Sequence, residues 1–451
     1  MIVVNEYKLG NQSNFEVQIY DGKRLMMTED ISQKAVIRRR NNFDYMMIYN
    51  NQMQLNAEVF RYLNKVIARQ ELNSRISALN ALKILYNYQG IIKKDVKDFN
   101  VGDFISLKAF MKGSSAGGQE LNFNLITTRQ NSTINGYLSV FRSYYEYLGV
   151  NNTALLNRDN IYTSVFEPDS DIEFKVAKFK LNESLPKKPI EVPRYVSIDE
   201  FRKIISFIRS NFTAAEEIIV RLMFQCGLRI GEVLGLTADD LVIEKINEQY
   251  IPVAYIRNRV SDKYYQKAKT CMKVFNVKQY RSKDYNTEDY GWQRVIVPKD
   301  LFEMINEYIE AAHTKARNDK GENYFTAAIA DRVRQQEPYE ESNYYVFINS
   351  LGRPLSQTLW NERLRDIFRG CNLIVDNEIR DHNLNHRFRH GFAMFNINHL
   401  NCREIELAKR MRHSKLRSVY KYFRPTLSDA IKIKTDFVES LYEIMPELRS
   451  Q

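Results

Sequence analysis

The sequence predicts a mainly α-helical protein with a small β-sheet, its first half helical and its second half mixed α/β. Three observations carry this. From about 52 to 165, apolar residues recur at helical spacing. From 166 to 194 that periodicity stops, and Pro168, Pro186, Pro189 and Pro193 punctuate a linker. From 195 to 451 a helix-start signal opens a run of helical and short strand-like segments. A length of 451 residues suits about two to three domains, each large enough to bury a core.

In chain order, residues 1–51 read as a small, partly β element. Phe15, Val17 and Ile19 alternate with polar residues, Asp21-Gly22 follows as a turn, and Arg38-Arg39-Arg40 form a basic cluster. Helical stripes come next: Leu55, Val59, Phe60, Leu63, Val66 and Ile67, then Ile76, Leu79, Leu82, Leu85 and Tyr86. After the flexible 113–118 loop, Ile134, Tyr137, Leu138, Phe141, Tyr144, Tyr145 and Leu148 form the clearest stripe, a face expected to be core. Lys65, Arg69, Lys83, Arg129 and Arg142 are the residues of this segment expected to be exposed and to meet phosphates. Ser197 and Glu200 make a capping box that opens a helix carrying Phe201, Ile204, Ile205 and Ile208. Ile219, Leu222 and Met223 predict another helix, bent at Gly227 into one beginning near Ile230. Val253–Ile256 and Val295–Pro298 read as strands, with Lys263, Lys267, Lys269, Lys273, Lys278 and Lys283 between them. A helix over Leu301–Ile309, an exposed charged insertion over 314–341, a buried strand at Tyr345–Ile348 and a helix over Ser356–Phe368 follow. Ser428–Met445 reads as an amphipathic helix.

Composition narrows the class of partner. The net charge is +11, which favours polyanions, nucleic acid above all, although a ribosomal or membrane-surface protein satisfies the same charge. The four cysteines are widely spaced, with neither metal-ligand pairs nor a disulfide framework. Neither a secretory leader nor a run of ~20 apolar residues is present, so the expectation is a soluble protein of the reducing cytoplasm.

Chemistry concentrates in segments distant in sequence. Gly227-Leu228-Arg229 with Glu232, His386-Arg387-Phe388-Arg389-His390, Met411-Arg412-His413 and Tyr420-Lys421-Tyr422 together hold two arginines, two histidines and a tyrosine suited to surround one phosphate. Arginine presents a planar, permanently charged fork that matches phosphate oxygens in pairs. Histidine donates a hydrogen bond or moves a proton near neutral pH, and tyrosine can form a covalent intermediate. Glu232, one turn after Arg229, is placed to hold that guanidinium, a buried structural pair being the plain alternative.

In order and separation these motifs resemble the tyrosine recombinase (phage integrase) family. The family pattern is an arginine in Gly-Leu-Arg-x-x-Glu, a His-x-x-Arg box, then a histidine with a tyrosine nine residues on. Arg229, His386 with Arg389, and His413 with Tyr422 match it. Phe388 and Gly391 stand where leucine and threonine are usual. The resemblance implies a helical core-binding domain (52–165) and a catalytic domain (195–451), with residues 1–51 either an arm-binding-like element or an extension packed on its neighbour. It implies strand transfer through a 3′-phosphotyrosine: Tyr422 attacks, Arg229 and Arg389 stabilise the phosphate, His386 and His413 handle protons or donate hydrogen bonds, and a hairpin lysine protonates the leaving 5′-oxygen. Lys269-Thr270 matches the lysine element, but about twenty extra residues separate it from the Arg294–Pro298 strand, so Lys278 and Lys283 remain rivals. Tyr420 is the rival nucleophile, and His390 is assigned a supporting role behind the catalytic groups, as is Glu232. No cofactor and no metal are implied. Implied partners are duplex DNA with a specific crossover site, three further copies in a homotetramer on DNA, and an accessory DNA-bending protein or directionality factor; the implied location is the cytoplasm, on the nucleoid. The long insertions and the N-terminal piece favour a mobile-element integrase. The alternatives are a type IB topoisomerase-like strand transferase, a telomere resolvase, a non-catalytic DNA-binding protein on the same scaffold and, with the least support, a metal-dependent nuclease.

Overall fold

The computed structural model describes residues 1–10, 12–40, 43–113, 121–167, 170–185, 193–260, 267–320, 344–350, 352–375, 384–413 and 416–423, with 439, 443 and 445. The chain forms two compact units, Met1–Lys188 and Pro189–Gln451.

The first unit opens with three strands, β1 (Ile2–Leu9), β2 (Gln12–Asp21) and β3 (Arg24–Asp30), and a separate hairpin, β4 (Lys34–Arg40) with β5 (Phe43–Tyr49). Helices α1 (Ala57–Arg61, continued by a π turn over Tyr62–Val66), α2 (Leu72–Ile92) and α3 (Val101–Lys112) follow. Strand β6 (Leu121–Asn124), α4 (Asn131–Tyr147) and the short α5 (Thr153–Leu156) come next. The sheet runs β3-β2-β1-β6, antiparallel except that β6 joins β1 in parallel with Ile2 opposite Leu121. Gly22, at φ +55°, makes the turn between β2 and β3. The alternation seen at Phe15 and Val17 does what a half-buried strand requires: both side chains enter one core with Leu82, Leu85, Phe104, Phe110, Leu138 and Tyr144. The first fifty residues therefore share their core with the helices. The aromatic stripe of α4 is core as expected, and its hydroxyls are satisfied inside: Tyr144 bonds Tyr86 at 2.7 Å and Tyr145 donates to the Val96 carbonyl.

The expected linker is different in its first part. Strands β7 (Arg158–Glu167) and β8 (Ser170–Phe179) pair in register as an antiparallel hairpin, from Arg158 opposite Phe179 to Glu167 opposite Ser170. In the sequence Ile172, Phe174 and Val176 alternate with charged residues, a strand period that the neighbouring prolines obscured. Beyond it Leu181 enters the core and Glu183 receives Lys108 at 2.8 Å and Lys112 at 2.7 Å, so the chain stays on this unit through that point.

The second unit begins with α6 (Ile198–Asn211), capped as the sequence specified: the Ser197 amide donates to Glu200 (2.8 Å) and the Glu200 amide to the Ser197 hydroxyl (3.2 Å). Helices α7 (Ala214–Gln225) and α8 (Ile230–Leu234) follow, then a three-stranded antiparallel sheet in the order β11-β10-β9: β9 (Leu241–Ile246), β10 (Gln249–Arg257), β11 (Trp292–Ile296). Between β10 and β11 the chain makes an excursion, closed at its base where the Met272 amide donates to the Tyr290 carbonyl at 2.7 Å and stiffened inside by Tyr280 stacked on Tyr285. Helix α9 (Lys299–Lys320) is longer than the expected Leu301–Ile309. Tyr345–Ile348 buries Val346 and Phe347 but makes only single bridges, Thr237 to Tyr345 and Ile348 to Pro354. Helices α10 (Gln357–Gly370), α11 (Leu384–Leu400) and α12 (Glu404–Arg410) complete the described part. The core gathers Ile204, Ile219, Leu222, Leu228, Val346, Trp360, Leu364 and Phe388. Most of the amphipathic segment Ser428–Met445, His382, Lys263 and most of the 314–341 insertion lie outside the described residues.

Candidate active site

The site is built at the meeting of α7, α11 and the turn after α12. Gly227 ends α7 at φ +61°, and a Cβ there would stand 2.8 Å from the Phe392 ring on α11, so only glycine fits both the backbone and the packing. The turn leaves Arg229 extended at the N-cap of α8, where Glu232 accepts from its backbone amide at 2.9 Å and its guanidinium at 2.6 Å. One carboxylate thus caps the helix and anchors the arginine. Helix α11 comes close enough because Gly391, in the place of the family's threonine, lies against the Val196 carbonyl and the Phe224 ring; a Cβ would meet them at 2.5 and 2.6 Å.

On α11, His386, Arg389 and His390 share a face by their i, i+3, i+4 spacing. Arg389 is buried and donates to two backbone carbonyls, Gly227 and Met411. Met411 lies in the turn after α12, and that turn closes with the His413 amide on the Ala408 carbonyl at 2.9 Å. Its left-handed residue is Arg412, at φ +53°, a place that normally goes to glycine. The Arg412 guanidinium reaches Glu232 at 2.8 Å. Three arginines, Arg229, Arg389 and Arg412, therefore surround one fully buried carboxylate, with Arg389 at 4.0 Å. Burial alone would raise the Glu232 pKa; Arg412, Arg389, Arg229 and the Arg229 amide overcome it and hold it at about 2. Three cations against one anion leave the cluster positive, the condition for receiving a phosphodiester.

Tyr422, in a 3-10 turn over Tyr420–Tyr422, is buried at 2 % exposure, and its hydroxyl meets His390 Nδ1 at 2.7 Å. Burial pushes the phenol up to about 12, with Arg389 and Arg229 acting to lower it. Lys421 lies 4.9 Å from the Tyr422 ring centre. Tyr420 is 39 % exposed. Burial, then Lys421, His386, Arg389 and His413, push His390 down to about 3. His413 falls to about 4 through burial and the cations Arg389, Arg229, Lys421 and Arg412, and its buried Nδ1 has no hydrogen-bond partner among the described residues. His386, with one face open to solvent, is lowered by burial and by Arg389, Lys269, Arg229 and Lys421. Burial first, and then the positive charge around them, favours the neutral form of all three rings.

Lys269 sits in a turn pinned by Asn258, which accepts from the Ala268 amide and donates to the carbonyls of Ala268, Cys271 and Met272 at 2.9–3.1 Å. Thr270 donates to Gln293 of β11 at 2.9 Å. The extra residues before Arg294 are the excursion that begins beyond this turn, so they leave the turn beside its strand. Lys278 lies within the 3-10 stretch Val277–Arg281 of that excursion and Lys283 just past it. Among the described residues no group of three or more His, Cys, Asp or Glu is arranged to hold a metal ion.

The phage integrase family model matches residues 194–428, more than half of the chain. The chain belongs to the phage integrase family. Two curated relatives match over shorter stretches. The tyrosine recombinase XerD of Rickettsia bellii is 24 % identical over 123 residues, 27 % of this chain and 33 % of its own length. The tyrosine recombinase XerC of Caldanaerobacter subterraneus is 30 % identical over 61 residues, 14 % and 17 % of the two chains. The chain thus spans at most about a third of the length of these relatives. Among solved structures, the XerH site-specific recombinase bound to its difH substrate aligns over 80 % of each chain at 15 % identity, TM-score 0.46. The Tn1549 transposon integrase with transposon right end DNA aligns over 84 % of this chain and 99 % of its own at 13 % identity, TM-score 0.48.

Of the expected family set, Arg229 and Arg389 meet on Glu232, and His386, His413 and Tyr422 lie within electrostatic reach of those two arginines. The expected phosphate contacts of the first unit divide. Lys65 and Arg69 are exposed and Arg129 is half-buried. Lys83 is not a surface residue: it is 7 % exposed, donates to Gln12 (3.2 Å) and the Ser13 carbonyl (2.9 Å), and burial with Lys8 and Arg129 nearby lowers it to about 8. Arg142 is also committed internally, to the Leu155 carbonyl (2.9 Å), to Asn182 (2.6 Å) and over the Phe179 ring at 3.7 Å. Charged residues on a helix read as surface in sequence because the tertiary acceptors that satisfy them are invisible there. Sequence reasoning missed Arg412 as a member of the site, Asn258 as the anchor of the Lys269 turn, and the direct bond of His390 to the phenol.

Proposed function

We propose that this protein is a site-specific DNA recombinase, an integrase of a mobile element, that cuts and rejoins strands through a 3′-phosphotyrosine at Tyr422. The observation that carries the reading is the buried Tyr422 hydroxyl in a pocket whose three guanidiniums exceed their one carboxylate. In that reading, Tyr422 attacks the phosphorus in line, and Arg229 and Arg389 stabilise charge growing on the non-bridging oxygens, a preorganised electrostatic effect. His386 and His413, both neutral, donate hydrogen bonds to the same oxygens. Lys269, exposed beside His386, protonates the departing 5′-oxygen. The 5′-hydroxyl of a partner strand then reverses the step, and the phosphodiester energy is kept. The partners are duplex DNA carrying a specific crossover site and further copies of this chain in a homotetramer, with an accessory DNA-bending protein or directionality factor setting direction. The nucleoid of the cytoplasm is where this substrate lies.

The test uses a nicked duplex carrying a site selected from a randomised pool by binding, so that the cleaved 5′-hydroxyl strand diffuses away. A protein–DNA adduct that survives denaturing electrophoresis, forms in EDTA, and is absent for Tyr422→Phe but retained for Tyr420→Phe is the expected result. A wild-type chain that binds its site and forms no adduct replaces this reading with that of a non-catalytic DNA-binding protein.

A further inference from the structure

We infer that His390 is the general base that takes the phenolic proton from Tyr422 during strand cleavage; the inference rests on the strand-transfer function proposed above. The argument starts from proton balance. As the Tyr422 Oη–phosphorus bond forms and the phosphorus–O5′ bond breaks, the phenol must lose its proton while the leaving oxygen gains one. Lys269 supplies the second proton at the far side of the phosphorus. The first needs an acceptor at Oη, and among the described residues the atom in hydrogen-bond contact with that oxygen is His390 Nδ1, at 2.7 Å. Burial, with the cations around it, favours the neutral ring, and the tautomer protonated at Nε2 presents a lone pair at Nδ1 to the phenolic proton. The two rings are 5.4 Å apart, tilted by 53°, and Tyr422 is buried, so no bulk water competes at the contact.

The same surroundings make the base conditional on substrate. The charged and titratable groups around His390 are Lys421 from the Tyr422 turn, His386 and Arg389 from its own helix, and His413 from the turn after α12. In the free site this positive field opposes an imidazolium at His390. A phosphodiester brings one negative charge into the field of Arg229, Arg389, Arg412 and Lys421 and cancels part of it, which favours proton transfer to Nδ1 at the moment a phosphorus is present to be attacked. During rejoining the proton returns from His390 to Oη as the phosphotyrosine bond breaks, and the attacking 5′-hydroxyl gives its proton to Lys269, so atoms and charges balance in both directions.

The experiment is single-turnover adduct formation on the nicked duplex, with DNA binding measured in parallel by fluorescence anisotropy, for the full-length wild type, His390→Ala and His390→Asn. Wild-type adduct formation tests the strand-transfer function itself; the variants test His390. The expected result is a rate reduced by ~10²-fold or more in both variants, at binding unchanged within about two-fold. Added imidazole restores part of the rate in His390→Ala, in proportion to its free-base concentration. Asparagine can still accept a hydrogen bond from Oη but cannot take up a proton at near-neutral pH, so His390→Asn stays slow and keeps the inference testable even where the alanine variant fails to fold. A wild-type rate in His390→Asn reduces His390 to a hydrogen-bond partner that orients the phenol, and the inference falls. It falls equally if His390→Ala folds, binds and cleaves at the wild-type rate.

Discussion

In the N-terminal unit the inward-turned cations Arg75, Lys83 and Arg142 each donate to neutral acceptors and share no carboxylate. Arg75 donates to the carbonyls of Leu63 (3.2 Å) and Asp44 (2.8 Å) and to Asn64 (3.1 Å); Lys83 and Arg142 are satisfied in the same way by carbonyls and side-chain amides. At the candidate site of the second unit three arginines are crowded: Arg229, Arg389 and Arg412 share Glu232, and Arg389 and Arg412 also converge on the Gly227 carbonyl. Dispersed cations with neutral acceptors join elements of the fold. Crowded cations with too few anions hold a positive charge that the fold alone gains nothing from, and that a phosphate would relieve. Burial of a cation therefore says little about its use; the number of cations per anion says more.

The largest test of this difference is Glu232→Gln. It leaves three guanidiniums without their carboxylate at a position with no solvent access, and a loss of about 3–5 kcal/mol in unfolding free energy is expected by denaturant titration. An unchanged midpoint would mean that the arginines repel one another less than their spacing implies. Next, Arg389→Met should slow adduct formation by ~10²–10³-fold at saturating DNA, the usual cost of removing a preorganised donor. The counterpart in the first unit, Arg75→Met, should cost about 1–3 kcal/mol because it strands buried acceptors. It should leave the adduct rate at saturating DNA intact; a slowed chemical step there would erase the distinction between the two kinds of cation.

Acid gives a smaller effect. His413 and His390 titrate at about 4 and about 3 in the folded chain against 6.5 ordinarily. Their folded values are depressed, so the unfolded chain binds more protons below 6.5. The stability they contribute is complete above that pH and declines as pH falls towards 4. Thermal melting should show a Tm lower by several degrees at pH 5 than at pH 7, and His413→Asn should shrink that gap. The smallest effect separates strain from charge at Arg412. Both Arg412→Ala and Arg412→Gly lose the bond to Glu232, but glycine accepts φ +53° freely, so the glycine variant should be the more stable by about 1 kcal/mol. Equal stabilities would show that the left-handed turn carries no strain.

Much of this was legible in sequence because it depends on local rules. The Ser197–Glu200 box, the aromatic stripe of α4, the bend at Gly227 and the two strands that became β10 and β11 each declare themselves within a few residues. The grouping of Arg229, His386, Arg389, His413 and Tyr422 was legible through spacing and order, not through any local signal. The remainder depended on distant partners. Arg412 looks like a surface residue after a helix until Glu232, far upstream, is placed beside it. Lys83 and Arg142 look like phosphate contacts until the carbonyls that receive them appear. The β7–β8 hairpin was hidden by Pro168 between its strands and the prolines that follow it, and β9 by the absence of a long apolar run.

The clip between Met272 and Tyr290 has a consequence for how this protein can change. Besides that bond, the excursion is tied to the hairpin through the Val260 amide on the Tyr280 hydroxyl (2.7 Å) and Arg294 on Glu288 (3.0 Å), so fixed points divide it into short stretches. Lengthening a flexible loop costs only about 0.6 kcal/mol per doubling once its ends are fixed. Length is therefore free to vary between those ties and not across them: a reporter peptide grafted in a stretch that bears none of them would ride on the molecule as a passenger, whereas removing Tyr280 or Glu288 would loosen the hairpin.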